Sequence, residues 1–234
     1  MKAAVLYGAE DIRYEDVPEP TVDELEVKVK VKACGICGSD LPRYFNGRVH
    51  NFPLVMGHEF SGIVVEIGKG VKSVRTGDHV VGVPLKPCGM CEQCKLGRFS
   101  LCSNYDFVGS RSQGAFAEYI VLPQSNVLVI DKKIPFEKAA FFEVSTVALH
   151  ALNLIKYVGG KTVVVIGTGT VGLMAIQWAK LFGADFILGI GRDPNSFGIA
   201  YELGADVVLN SANLDDRLKI DELRHFKNFE YIIE

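Results

Sequence analysis

The apolar residues keep one period in the first part of the chain and another in the last. Leu25-Glu26-Val27-Lys28-Val29-Lys30-Val31-Lys32-Ala33 alternates at every step, the pattern of a strand with one buried face. Thr162-Val163-Val164-Val165-Ile166 is instead a nearly continuous apolar run, the pattern of a parallel strand covered on both faces. Around the first segment, Lys2–Tyr7, Ile63–Ile67, His79–Val83, Phe116–Leu122 and Val127–Ile130 also read as strands, punctuated by Gly, Pro, Asn and Asp. They predict a β-rich barrel or sandwich. The character changes near Pro135, where Phe136–Tyr157 reads as helical. Strands at 162–166, 185–190, 206–209 and 229–233 then alternate with helices at 170–182, 195–203 and 214–226. That rhythm predicts a doubly wound, Rossmann-type parallel sheet. The expected domains are 1–150 and 151–234. The sequence ends at Glu234, just after the fourth of these strands, so the expected sheet is incomplete and the protein is expected to be truncated at its C-terminus.

Composition narrows the function. The 234 residues carry a formal charge of −3, which offers no basic footprint for nucleic acid or an anionic membrane. The first residues lack the apolar stretch of a signal peptide, and no apolar run is long enough to span a bilayer. The expectation is a soluble, cytoplasmic protein.

In that setting, clustered cysteines read as metal ligands rather than disulfides. Cys88, Cys91, Cys94 and Cys102 form C-x2-C-x2-C-x7-C. Four thiolates close a tetrahedron around zinc and leave no position for substrate, so this site is structural. It would staple a lobe, residues 84–103, that has almost no apolar core of its own. An iron–sulfur cluster is the competing occupant.

A second constellation is dispersed. Cys37 follows the alternating strand, Gly57-His58-Glu59 precedes another, and Phe141-Phe142-Glu143 opens the helical segment. A thiolate, an imidazole and a carboxylate make a mixed zinc shell with a position open for substrate, which is the catalytic arrangement. Ser39, two residues beyond Cys37, is placed to pass a proton outward. Cys34-x-x-Cys37 also fits a redox pair, but it lacks the βαβ setting of that motif; Cys34 reads as packing.

The loop Gly167-Thr168-Gly169-Thr170-Val171-Gly172 is G-x-G-x-x-G after a strand and at the mouth of a helix. Gly167 permits the turn, Gly169 lets the backbone approach a pyrophosphate, and Gly172 lets helix and strand pack closely. An acid at the end of the second strand would bind the ribose hydroxyls of NAD. Gly191-Arg192 stands there instead, with Asp193 just beyond. This favours NADP or a relaxed choice between NAD and NADP.

These constellations, in this order, resemble the zinc-dependent medium-chain alcohol/polyol dehydrogenase family. Gly57-His58-Glu59-Phe60-Ser61-Gly62, Gly68 and Val71 match its zinc signature, and Gly77-Asp78-His79-Val80 its turn motif. Gly38–Arg43, Val83–Leu85, Tyr105–Arg111 and Phe116–Val121 resemble members that act on a polyol phosphate. The resemblance implies a GroES-like catalytic domain followed by a Rossmann domain. It implies two zinc ions for each copy of the protein, one structural and one catalytic. The catalytic ion would be held by Cys37 and His58, with Glu59 and Glu143 as carboxylates that exchange at or near the metal. The implied reaction is reversible oxidation of a secondary alcohol with NAD(P), galactitol 1-phosphate giving tagatose 6-phosphate. Free polyols, threonine or butanediol are the alternative substrates, and a non-catalytic zinc-binding remnant or subunit the alternative class. Arg43, Lys86 and Arg111 are the candidate phosphate partners by composition. A full-length member would be a homo-oligomer, dimer or tetramer, with a small-molecule partner only. Val144 and Gly191 depart from the family, which commonly has Pro and an acid there.

Overall fold

The first strands form a hairpin, β1 (Lys2–Gly8) and β2 (Asp11–Asp16), followed by β3 (Glu26–Gly35), helix α1 (Asp40–Asn46) and β4 (Leu54–Val55). Then come β5 (Glu59–Ile67), β6 (His79–Gly82), β7 (Leu85–Lys86), the short helix α2 (Glu92–Lys95), β8 (Asp106–Phe107), β9 (Tyr119–Pro123) and β10 (Val127–Val129). Helices α3 (Phe136–Ala139) and α4 (Phe142–Leu154) lead to β11 (Thr162–Ile166), α5 (Thr170–Leu181), β12 (Phe186–Gly191), α6 (Phe197–Glu202), β13 (Val207–Asn210) and β14 (Tyr231–Ile233). This computed structural model describes residues 1–213, 215–216, 219–220, 222–223 and 228–234. The helix expected over 214–226 lies in part outside the described residues. Two units divide the chain, Met1–Glu143 and Val144–Glu234.

In the first unit, an antiparallel sheet runs β10-β6-β5-β3-β9, beside β2-β1-β4 and the ribbon β7-β8. The alternation of β3 is what builds its core. Val27 and Val29 are fully buried and pack with Phe60, Val64, Val80, Ile120 and Leu122. Lys28 breaks the simple inside–outside reading. It is buried, with Nζ 3.0 Å from Glu19 Oε1 and 2.8 Å from Glu66 Oε2, so its charge is paired rather than solvated. Strand β2 has no sequence signature: Asp11-Ile12-Arg13-Tyr14-Glu15-Asp16 is largely exposed and takes its strand form from pairing with β1.

The expected single helix over Phe136–Tyr157 is corrected to two, α3 and α4, with a break at Ala140–Phe141. Packing imposes it. Ser61 Oγ of β5 donates to the Phe136 carbonyl at 2.6 Å. Ala139 is buried against Val81 and Ile130, so the first turn is held to the sheet. No turn residue marks the break in the sequence.

In the second unit the parallel order is β13-β12-β11-β14, or 3-2-1-4 in sequence order within this sheet. Both faces of β11 are covered, which is why its apolar run is unbroken. Val163 and Val165 face Ile176, Ala179 and Leu152, while Val164, with its strand neighbours Leu188 and Leu209, packs with Ile220, Leu223 and Phe229. The order reverses between β11 and β14, the switch point where open α/β sheets bind ligands.

Candidate functional site

The antiparallel pairing of β3 with β5 sets Gly35 opposite Glu59. It therefore brings the residues after β3 beside those before β5. Cys37, His58 and Glu59 converge there, their ligand atoms all within 4.8 Å of one another. His58 and Glu59 are buried. Gly35 approaches the carboxylate closely: a Cβ on it would lie 2.3 Å from Glu59 Oε2, so a side chain there would shift that group.

Burial lowers the His58 imidazole, with nearby Arg43 pushing the same way and Asp40 opposing, so the ring is held neutral and free to ligate. Among the described residues His58 Nδ1 is buried without a hydrogen-bond partner, an orphan polar atom beside other metal-ligand side chains. Burial also raises the Glu59 carboxyl, while the Cys37 thiol, hydrogen-bonded to it, works against that rise. Glu143, at the start of α4, is pushed up to about 7, first by burial and then by the charge of Glu59. It stands outside the tight trio, yet close enough to feel that carboxylate. The donor set and its surplus of buried acid fit a divalent cation.

Asp40 escaped the sequence reading, and Arg43, expected as a phosphate partner, organises the site with it. Asp40 is 2% exposed. Its Oδ2 accepts from the Cys37 backbone N at 3.0 Å, and its Oδ1 accepts from Arg43 Nη1 at 2.8 Å. Oδ1 also lies 3.9 Å from His58 Nδ1. Arg43 Nη1 donates as well to Ser39 Oγ at 2.9 Å, and the Ser39 backbone N donates to Cys37 Sγ at 3.5 Å. The signal was Asp40 and Arg43 at i, i+3 on a helix starting three residues after the cysteine.

The four lobe cysteines also converge within 4.8 Å. The Cys88–Cys94 and Cys91–Cys102 sulfur pairs are each 3.9 Å apart. Zn–S bonds of about 2.3 Å at tetrahedral angles set sulfurs about 3.8 Å apart. All four are free thiols. Backbone N–H groups already point at them: Cys88 N donates to Cys102 Sγ at 3.3 Å, and Cys91 N to Cys88 Sγ at 3.4 Å. Such donors, at Cys94 and Ser103, bring the Cys91 thiol down to about 6. Burial pushes Cys94 up to about 12. A shared dication would ionise all four. Cys34 packs against the core cluster of the first unit, outside both groups.

In the second unit the loop 167–172 joins β11 to α5, with Gly169 as the N-cap of a 12-residue helix. A Cβ on Gly172 would fall 1.8 Å from the Gly167 carbonyl oxygen, whereas one on Gly169 would meet nothing within 4 Å. Gly172 thus closes the turn, and Gly169 leaves open space before the helix N-terminus, as a pyrophosphate requires. The Asp193 carboxylate is engaged in its own turn, its Oδ1 accepting from Asn195 N at 3.0 Å and Nδ2 at 2.9 Å.

The candidate phosphate partners are committed elsewhere. Arg43 is paired with Asp40, Lys86 with Asp106, and Arg111 stacks on Tyr105 with its guanidinium carbon 4.4 Å from the ring centroid.

The two units, with their clustered metal-ligand side chains and a glycine loop at the head of a parallel sheet, have the fold of a zinc-binding dehydrogenase, and comparison with known proteins gives the family. Residues 23–132 match the alcohol dehydrogenase GroES-like domain, and residues 170–234 match the zinc-binding dehydrogenase family. Over 222 residues the protein is 40% identical to galactitol 1-phosphate 5-dehydrogenase of Escherichia coli (strain K12), covering 93% of this sequence and 64% of that one. Over 233 residues it is 37% identical to sorbitol dehydrogenase of Bacillus subtilis (strain 168), covering 97% and 65%. The crystal structure of galactitol-1-phosphate dehydrogenase from Escherichia coli superposes with a TM-score of 0.93 at 38% identity, covering 100% of this protein and 67% of that one. The chain belongs to the zinc-binding medium-chain dehydrogenases, a family of alcohol and polyol oxidoreductases whose cofactors are zinc and NAD(P). It spans 64% and 65% of the two relatives' lengths. Among the described residues no helix is long and apolar enough to cross a membrane.

Proposed function

We propose that the protein oxidises a secondary alcohol of a small polyol, reversibly, with NAD(P) as hydride acceptor. The observation that carries this is the convergence of Cys37, His58 and Glu59, from separate stretches of sequence, into one largely buried trio. These residues hold a zinc ion, with Glu143 as the second carboxylate. Zinc, when bound, supplies a Lewis acid that makes a nearby alcohol easier to deprotonate. Cys88, Cys91, Cys94 and Cys102 hold the second, structural zinc, and residues 167–172 the dinucleotide.

Ser39 moves the proton. Its Oγ accepts from Arg43 Nη1, which fixes the hydroxyl and leaves another lone pair for the substrate O–H. Ser39 is exposed, so its own proton passes to solvent water. Arg43 and Asp40 hold this relay and the backbone of Cys37 in one network.

Likeness to the Escherichia coli enzyme favours galactitol 1-phosphate, oxidised to tagatose 6-phosphate. The second reading, a free polyol such as sorbitol, is favoured by the pairing of Arg43 with Asp40 and of Lys86 with Asp106. A panel of galactitol 1-phosphate, galactitol, sorbitol, threonine and butanediol, followed by reduced-cofactor absorbance, separates them. Turnover of galactitol 1-phosphate above all others supports the first reading. Turnover of free polyols alone removes the phosphate, and turnover of none removes the proposed activity.

A further inference from the structure

His58 enters the trio at the end of a segment that the sheet itself barely holds. Strand β4 pairs with β1 only at Leu54 and Val55. Met56, Gly57 and His58 then run on outside any strand until β5 begins at Glu59. Gly57 has φ +89°, a backbone that glycine reaches freely and that lends the chain little stiffness of its own. The aim of the imidazole has to be fixed from outside the segment.

The stretch 113–116 supplies that hold by lying along residues 53–57. Gly114 N donates to the Val55 carbonyl at 2.7 Å, Phe116 N to the Met56 carbonyl at 2.9 Å and Ala115 N to the Gly57 carbonyl at 2.9 Å. Gln113 extends the row with its side chain. Its Oε1 accepts from Val55 N at 2.6 Å, and its Nε2 donates to the Pro53 carbonyl at 3.2 Å. One side-chain amide thus stands in for a backbone peptide, offering an acceptor and a donor side by side. The approach is close enough to select glycine on both sides. A Cβ on Gly114 would lie 2.4 Å from the carbonyl oxygens of Met56 and Gly57, and one on Gly109 would lie 2.6 Å from that of Gly57. A Cβ on Gly57 would lie 2.5 Å from the Phe116 ring. A few residues earlier, Phe107 meets the His58 imidazole in a T-shaped contact, with ring centroids 5.5 Å apart.

We infer that Gln113 is a positioning residue for His58: by clamping Pro53 and Val55 it completes the hydrogen-bonded row that aims the imidazole at the trio's metal. Gln113 is not itself a ligand and acts through segment 53–57. This rests on reading Cys37, His58 and Glu59 as a zinc site, and adds which residue outside the donor set keeps it in shape. Gln124 provides an internal control. Its Oε1 also ties down a loop, accepting from Lys72 N at 3.0 Å and from Ser73 Oγ at 3.1 Å, but that loop carries none of the trio's residues. Loss of either side chain removes bonds of similar strength; only Gln113 lies on the approach to His58.

The test is chelator competition on the whole zinc-loaded protein. The step of zinc release that is absent from Cys37→Ser reports the trio, and the remaining step reports the lobe. Gln113→Ala should weaken zinc at the trio on the order of tenfold, the lower end of what supports of metal ligands are worth, and leave the lobe's zinc unchanged. Gln124→Ala should lower the melting temperature by about the same few degrees as Gln113→Ala, yet hold both zincs as tightly as the wild type. The inference is overturned if Gln113→Ala keeps the trio's zinc at wild-type strength. It is also overturned if Gln124→Ala weakens the trio as much, because the effect would then be general loosening. A wild type with no release step that depends on Cys37 would remove the zinc reading of the trio and this inference with it.

Discussion

The cysteine lobe and the Cys37–His58–Glu59 trio present two ways of bringing metal-ligand side chains together. In the lobe, four identical donors lie within fifteen consecutive residues, and the sulfur pairs stand 3.9 Å apart. Little of the rest of the molecule is needed to place them. The trio has three chemically different donors, and it exists only because β3 pairs with β5 so that Gly35 faces Glu59. A local ligand set is suited to stapling a loop. A set assembled by the fold is largely buried and mixed in charge. The difference teaches that the chemistry of a site follows from what gathers it.

Breaking the lobe should have the largest effect. Cys91→Ser should lose one zinc and lower the melting temperature by on the order of 10 °C, several kcal/mol of metal binding at about 2–4 °C each. A melting curve unchanged by Cys91→Ser would leave the lobe without a structural role. Cys37→Ser should also lose one zinc but melt nearly as the wild type does. Its turnover in the polyol assay should fall on the order of 1,000-fold, several kcal/mol of charge stabilisation. Retained turnover would move the catalytic assignment elsewhere. Ser39→Ala should keep both zincs and reduce turnover about 100-fold, the lower end for a proton-transfer group; an equal rate removes it from the relay. Asp40→Asn is the subtlest probe. It keeps the shape but removes the charge facing His58, and should weaken zinc at the trio about 10- to 100-fold in chelator competition while the lobe's zinc holds. Equal loss from both sites would mean that Asp40 supports the fold rather than the metal.

How far the sequence revealed these features follows the same division. The lobe was legible because its spacing is itself the geometry. The Rossmann-type half was legible because β11 is apolar on both faces and a glycine loop follows it. The trio was grouped in the sequence by donor chemistry and family likeness, while Cys37 and His58-Glu59 carry no mark of the pairing that unites them. Asp40 was missed and Arg43 was given another role, as a phosphate partner, because an acid and a base on a short helix look like surface charge, and only burial shows otherwise. The break between α3 and α4 was missed because Ala140 and Phe141 carry no turn chemistry.

The central claim is that this protein builds two zinc sites of different kinds, and metal content tests it most directly. The purified protein, assayed by mass spectrometry of its metals after dialysis, should hold two zinc ions per molecule. Cys37→Ser and Cys91→Ser should each hold one. A single zinc in the wild type, or none, would contradict the account.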